Sequence, residues 1–158
     1  MIRVSTILLF LLFFQARILS ISSLSPLLLT ATGNQKGDNV MSARVEVELD
    51  IFSGLPNPVW ILSPGEGTLF REKLTGLPDA SPRVLSTHLG YRGFLVRVSD
   101  QTGEFSLWIQ NGTVEICHGD RKFYYGDRER ELERWLLYTG RSVLKGELFH
   151  LVENELSP

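Results

Sequence analysis

In "RVEVELDIF", Val45, Val47, Leu49 and Ile51 alternate with Glu46, Glu48 and Asp50, the two-residue period of a strand with one buried and one wet face. "SGLPNP" ends that strand, because its two prolines cannot donate to a ladder. After "VWIL" the pattern turns helical in "SPGEGTLFREKLTG". Ser63 fits an N-cap, Pro64 the first helical position, and Glu66 completes a capping box. Leu69, Phe70, Lys73, Leu74 and Leu77 share one side of this helix and Gly76 closes it, while Gly65 and Gly67 weaken its first turn. "LPDASPRVLSTHLG" reads as a loop.

Two strands, "YRGFLVRVSD" and "EFSLWIQ", follow through "DQTG", and "TVEICH" comes next across Asn111-Gly112. Asn-Gly is a strong hairpin signal, since a type I′ turn needs positive φ at both central residues. A two-residue turn sets Ile109 opposite Val114, Leu107 opposite Ile116 and Phe105 opposite His118, with all six on one face. "DRERELERWLLYTG" predicts a second helix, capped by Asp127, ended by Gly140 and turned inward along Leu132, Trp135, Leu136 and Thr139. Its charges, including Arg130, Glu133 and Arg134, read as a solvated face. "RSVLKGELFHLVENELSP" fits a short helix or a strand. This order of elements predicts a single α+β domain, with a mainly antiparallel sheet of about four to five strands and two helices packed on one face.

The first 40 residues follow another pattern. Arg3 precedes the apolar run Ile7 to Phe14, which Gln15 and Arg17 interrupt before it reaches the about 20 residues of a membrane span. A basic start and a short apolar core form the pattern of a secretory signal peptide. "TATGNQKGDN" is small and polar, as a cleavage region or linker should be. The division expected is residues 1–40 as a leader (signal peptide or anchor) plus linker, and 41–158 as the domain. The protein would then be secreted or membrane-anchored, with membrane contact only through an uncleaved N-terminal segment. Met41 opens "MSARVEVELD" just before the first strand, and translation starting there would leave the protein cytoplasmic.

The remaining composition excludes more than it identifies. The 158 residues are 43% hydrophobic and 22% charged, ordinary for a globular chain. From Ser42 onward, 13 Lys+Arg face 17 Asp+Glu, a net charge of −4, and the basic residues are scattered. A nucleic-acid partner would need a clustered basic face, so none is expected. Cys117 is the only cysteine, which excludes an intramolecular disulfide. Cys117 and His118 are strand neighbours and point to opposite faces, His118 toward the core, so they cannot share a proton or an ion. His88 and His150 lack the spacing of zinc ligands. No glycine pattern offers a phosphate cradle or a nucleophile elbow. No metal, cofactor or catalytic residue is therefore expected. Asn111 begins "NGT", an N-glycosylation acceptor as well as a turn.

Arg92, flanked by Gly90 and Gly93, falls by strand parity on the face of Phe94, Val96 and Val98. An arginine there must find a carboxylate or carbonyls. It either stitches the proline-rich turn to the sheet or holds an anion beside Tyr91 and Trp60. Asp50, Asn57, Trp60, Tyr91 and Arg92 are the candidate ligand-binding residues. "DIFSGLPNPVW" followed by "LGYRGF" resembles a family of small, uncharacterised, mostly bacterial proteins with an Asp-x-Phe-Ser-Gly-x-Pro-Asn-Pro-x-Trp start. The likeness covers about Arg44 to Gly140. It implies one domain beginning near Met41 and carries no catalytic role. A small non-enzymatic binding module for a small molecule or protein is the expected function. The alternatives are a structural or interaction protein without a ligand pocket, and a hydrolase-like enzyme. A concave pocket containing Arg92 would favour the enzyme, and an aromatic patch around Trp60 and Trp108 would favour binding.

Overall fold

The computed structural model describes residues 43–82, 85, 89–101 and 103–157; the leader of residues 1–40 and His88 lie outside them. The alternation in "RVEVEL" builds β1 (Arg44–Leu49), with Val45, Val47 and Leu49 buried and the acidic residues on the other face. Its neighbours are β2 (Val59–Ile61) and β3 (Phe94–Asp100), followed by β4 (Gly103–Gln110), β5 (Thr113–His118) and β6 (Arg121–Gly126). They form one antiparallel sheet in the order β2-β1-β3-β4-β5-β6. Helices α1 (Pro64–Thr75), α2 (Glu131–Thr139) and α3 (Gly146–Glu155) complete an α+β fold.

The sheet has six strands and the fold three helices, more than the four to five and two expected from sequence. β2 and β6 are the added strands: "VWI" is only three residues long, and in "RKFYYG" two leading charges and three polar or glycine positions obscure a short alternation in which only Tyr125 is fully buried. The ambiguous C-terminal stretch is helical, because Phe149, Val152 and Leu156 recur at helical spacing and are all buried.

The first helix begins as its residues dictate. Ser63 N–H donates to Glu66 Oε2 at 2.8 Å and Ser63 Oγ accepts from Glu66 N–H at 3.4 Å, both halves of a capping box. Gly67, a poor helix former, lies against Val45 on the sheet. The β4–β5 turn has Asn111 at φ 50° and Gly112 at φ 72°, with Gln110 opposite Thr113. Ile109 accordingly faces Val114 and Leu107 faces Ile116. His118, however, is exposed, because β5 ends with it, beyond the helix-covered part of the sheet.

The second helix starts later than its sequence suggests. Arg128–Arg130 form a 3-10 turn in which Glu129 and Arg130 take positive φ, and α2 proper begins at Glu131. Asp127 still caps it, accepting from Leu132 N–H at 2.9 Å and Glu133 N–H at 3.1 Å. The core lies between the helices and the sheet, where Phe70 of α1, Leu132 and Leu136 of α2 and Val152 of α3 are buried together with Val47, Val96 and Leu107 of the strands. The opposite face of the sheet carries no helix among the described residues.

Candidate functional site

Asp50 stands just past β1, where the sheet register is broken. Asp50 N–H donates to Gly93 O at 2.9 Å while its own carbonyl accepts from Arg92 N–H at 2.8 Å, so two residues oppose one, as in a β-bulge. Gly93 adopts φ 98°, and a Cβ there would lie 2.2 Å from Ile109 O. Only glycine fits. The break reverses strand parity, so Arg92 leaves the core face predicted for it and reaches across the helix-free side. There Arg92 Nε donates to Asp50 Oδ2 at 3.1 Å and Nη2 to Asp50 Oδ1, the fork geometry available to arginine alone. Nη2 also donates to Phe52 O at 2.8 Å, and Nη1 to Ser53 Oγ at 3.3 Å.

Asn57 closes the arch from the inside. Its Oδ1 accepts from Ile51 N–H at 3.1 Å and Phe52 N–H at 2.9 Å, and its Nδ2 donates to Glu48 Oε1 at 3.0 Å and Asp50 Oδ1 at 3.1 Å. This set needs an amide, with an acceptor on one side and donors on the other. Glu48 Oε2 then accepts from Arg97 at 2.9 Å, and Arg97 reaches Glu46 Oε1 at 3.3 Å. The arch is thus tied into a charged ladder along β1.

Trp60 and Tyr91 are elsewhere. Trp60 pairs with Val47 in the sheet, is buried, lies edge-on to Phe94 and against Gly140, and donates from Nε1 to Thr139 Oγ1 at 3.0 Å. It does not cover the Arg92–Asp50 pair. Tyr91 turns to the helix side and donates its hydroxyl to Glu133 Oε2 at 2.5 Å. Glu133 is fully buried, contrary to the solvated face expected for its helix. Its Oε2 also accepts from Arg130 Nη2 at 3.1 Å, while Oε1 accepts from Gly112 N–H at 2.8 Å and Arg130 Nε at 3.3 Å. The carboxylate therefore anchors the β4–β5 turn, on which Asn111 remains exposed. Burial first, then the charge and hydrogen bond of Glu133, push the Tyr91 hydroxyl far above its ordinary range. Glu133 shares the buried side of α2 with Leu136, Leu137 and Gly140, three, four and seven residues on, whereas a stripe along Leu132, Trp135, Leu136 and Thr139 leaves it outside.

The helix-free face offers a different surface. Cross-strand pairing sets Leu95, Trp108, Glu115 and Tyr124 in one row. Leu95, Trp108 and Tyr124 are half-buried, and Trp108 Nε1 donates to Arg92 O at 3.0 Å. Glu115 Oε1 accepts from Lys122 at 2.8 Å and from the Cys117 thiol at 3.4 Å. Burial pushes the Glu115 carboxyl up, but hydrogen bonds from Lys122, Tyr124 and Cys117 outweigh it and leave the group below its usual range. Burial and Glu115 together push the Cys117 thiol up, so it stays protonated and unreactive. Beside this row lies an open concavity of about 670 Å³ whose walls include Arg44, Glu46, Arg97, Ser99, Ser106 and Cys117, and not Arg92.

Among the described residues, no group of three or more His, Cys, Asp or Glu could hold a metal ion, and no helix is long and apolar enough to cross a membrane. No family model, no curated protein and no solved structure matches the chain.

Proposed function

We propose that this is a small non-enzymatic binding module whose ligand surface is the helix-free face of the sheet. One observation carries the reading: Leu95, Trp108 and Tyr124 stay partly exposed in a row beside the 670 Å³ concavity. Aromatic faces supply contact area at little conformational cost, and a few convergent polar groups orient what they hold. The ligand that fits is a small molecule or peptide segment with an apolar edge for Trp108 and Tyr124 and polar groups for Ser99, Ser106 and Arg97. Asp50, Asn57 and Arg92 support the face from beneath its end, since their hydrogen bonds are spent within the arch. A hydrolase would need an acid–base pair with an open valence, which the arch does not supply. In this reading residues 1–40 are an export leader preceding the module.

A screen of small aromatic and saccharide fragments by amide and indole N–H chemical shifts tests it. Binders are expected to move the Trp108 indole N–H together with the Leu95 and Cys117 amides. Fragments that perturb only α1, α2 and α3, or a screen that leaves this face unmoved, overturn the proposal.

A further inference from the structure

The two edges of the sheet are finished differently. β6 is covered: Ala80 N–H donates to Tyr124 O and Gly126 N–H to Pro78 O, both at 2.9 Å, and a bridge joins Asp79 to Tyr125. Exposed Arg121 and Lys122 also lie on that strand, charges that discourage pairing with another chain. Among the described residues β2 has neither device. It is the other terminal strand of the sheet. Leu49 N–H bonds Pro58 O and Leu62 N–H bonds Val45 O, so positions 58, 60 and 62 face β1. The backbone N–H and C=O groups of Val59 and Ile61 consequently point away from the sheet. Proline often guards an edge by withholding a donor, but the missing N–H of Pro58 faces inward, on the β1 side.

The side chains agree with the backbone. Val59 is 44% exposed and Ile61 54% exposed, flanking buried Trp60, and Leu55 of the arch is 67% exposed. Three exposed large apolar side chains therefore fall in one short stretch at an unguarded edge.

We infer that β2 is a self-pairing edge, through which two copies of this chain join antiparallel about a two-fold axis at Trp60. Such an axis sets Val59 of each copy opposite Ile61 of the other. These are the residues whose N–H and C=O groups face outward, so each pair exchanges both its hydrogen bonds, and Trp60 meets Trp60 at the position that needs none. The apolar side chains of the pair meet on the helix-free face. A second copy suits this edge because the three-residue strand is complementary to itself, with like-sized β-branched residues on either side of the axis. The helix-free faces of the two copies then form one continuous surface. This inference is independent of what that surface binds.

Analytical ultracentrifugation of the full chain tests it, with Val59→Lys and Ile61→Lys as edge variants and Leu151→Lys, exposed on α3, as the control. The wild type and the control are expected to sediment as dimers, and both edge variants as monomers with unchanged circular dichroism. A monomeric wild type, or a dimer that survives both edge substitutions, overturns the inference. Should either edge variant fail to fold, amide exchange of the wild type decides. Exchange at Val59 and Ile61 should slow about tenfold or more in concentrated protein relative to dilute. Concentration-independent exchange at both amides overturns the inference equally.

Discussion

Each side of the sheet holds an arginine–carboxylate cluster that secures an irregular turn, and the two are built to different standards. On the helix side, Glu133 is wholly buried and each of its oxygens takes two donors, from Tyr91, Gly112 and both sides of the Arg130 fork. On the helix-free side, the Asp50 and Arg92 side chains keep 13% and 15% of their surface in contact with solvent. Their network runs on through Asn57 to Glu48 and Arg97, nearer to water at each step. An ion removed from water must recover its hydration from the protein, so burial demands complete saturation. The Glu133 carboxylate has nothing left over for a ligand. The other side keeps its charges cheaply solvated and its aromatic row open.

The largest expected effect follows from the saturated cluster. Glu133→Ala strands the half-buried Gly112 N–H, the Tyr91 hydroxyl and part of Arg130, and should cost about 3–5 kcal/mol in urea denaturation. Glu133→Gln retains one acceptor and should cost less. A loss below about 1 kcal/mol in the alanine variant would mean that the site is wet and the contrast unfounded.

The arch responds to charge more than to size. Asn57→Asp is nearly isosteric, yet it replaces the donor shared by Glu48 and Asp50 with a third carboxylate oxygen. It should destabilise by about 1–3 kcal/mol and more than Asn57→Ala does. Acidification should recover part of that loss, as the introduced carboxylate protonates and regains a donor. Equal stability of the two variants at neutral pH would count against the assigned amide orientation. Arg92→Lys should behave much like Arg92→Ala, because an ammonium cannot reproduce the fork to Asp50 or also reach Phe52 O.

A smaller effect separates the sides by pH. The Tyr91 hydroxyl is raised far above its ordinary value of 10.0, so it stays protonated in the folded protein while the unfolded chain ionises. The folded state then binds the extra proton, and stability must fall as pH climbs through about 10. Tyr91→Phe should cost about 1 kcal/mol at neutral pH and flatten the alkaline decline in thermal midpoint. Glu115 on the other face has the opposite sense. Its lowered value stabilises above the unfolded pKa, and that contribution is lost as pH falls through the folded one. A Tyr91→Phe variant with an unaltered alkaline slope would remove Tyr91 from the buried cluster.

The contrast also explains what the amino-acid pattern disclosed. The alternation of β1, the Ser63–Glu66 box and the Asn111-Gly112 turn are local signals, each contained within a few residues, and the structure follows them. The arch was legible for the same reason: Asp50, Asn57 and their backbone partners lie within one short stretch, and two glycines mark the return of Arg92. Two features escaped for different reasons. Gly93 at φ 98° moves Arg92 to the face opposite the one its parity implies, while the buried stripe of α2 runs along Glu133 and Leu137 rather than Trp135 and Thr139, so a carboxylate takes a core position that its charge disguises. Trp60 and Tyr91 then part from the arch, though they adjoin it in sequence, because both face the helices. β6 was obscured by its own edge charges.

If the helix-free row serves contact rather than stability, as proposed, the double variant Leu95→Thr with Tyr124→Thr shows it most directly. Threonine keeps the β preference of both positions and removes the apolar and aromatic surface. Its thermal midpoint, read beside its affinity for fragments found on the wild-type face, should fall by only about 3–6 °C, the equivalent of about 1 kcal/mol. Fragment affinity should drop about tenfold, a loss of about 1.4 kcal/mol in binding. A midpoint that falls as far as that of Glu133→Ala, with fragment affinity intact, would contradict the account by making the row part of the core.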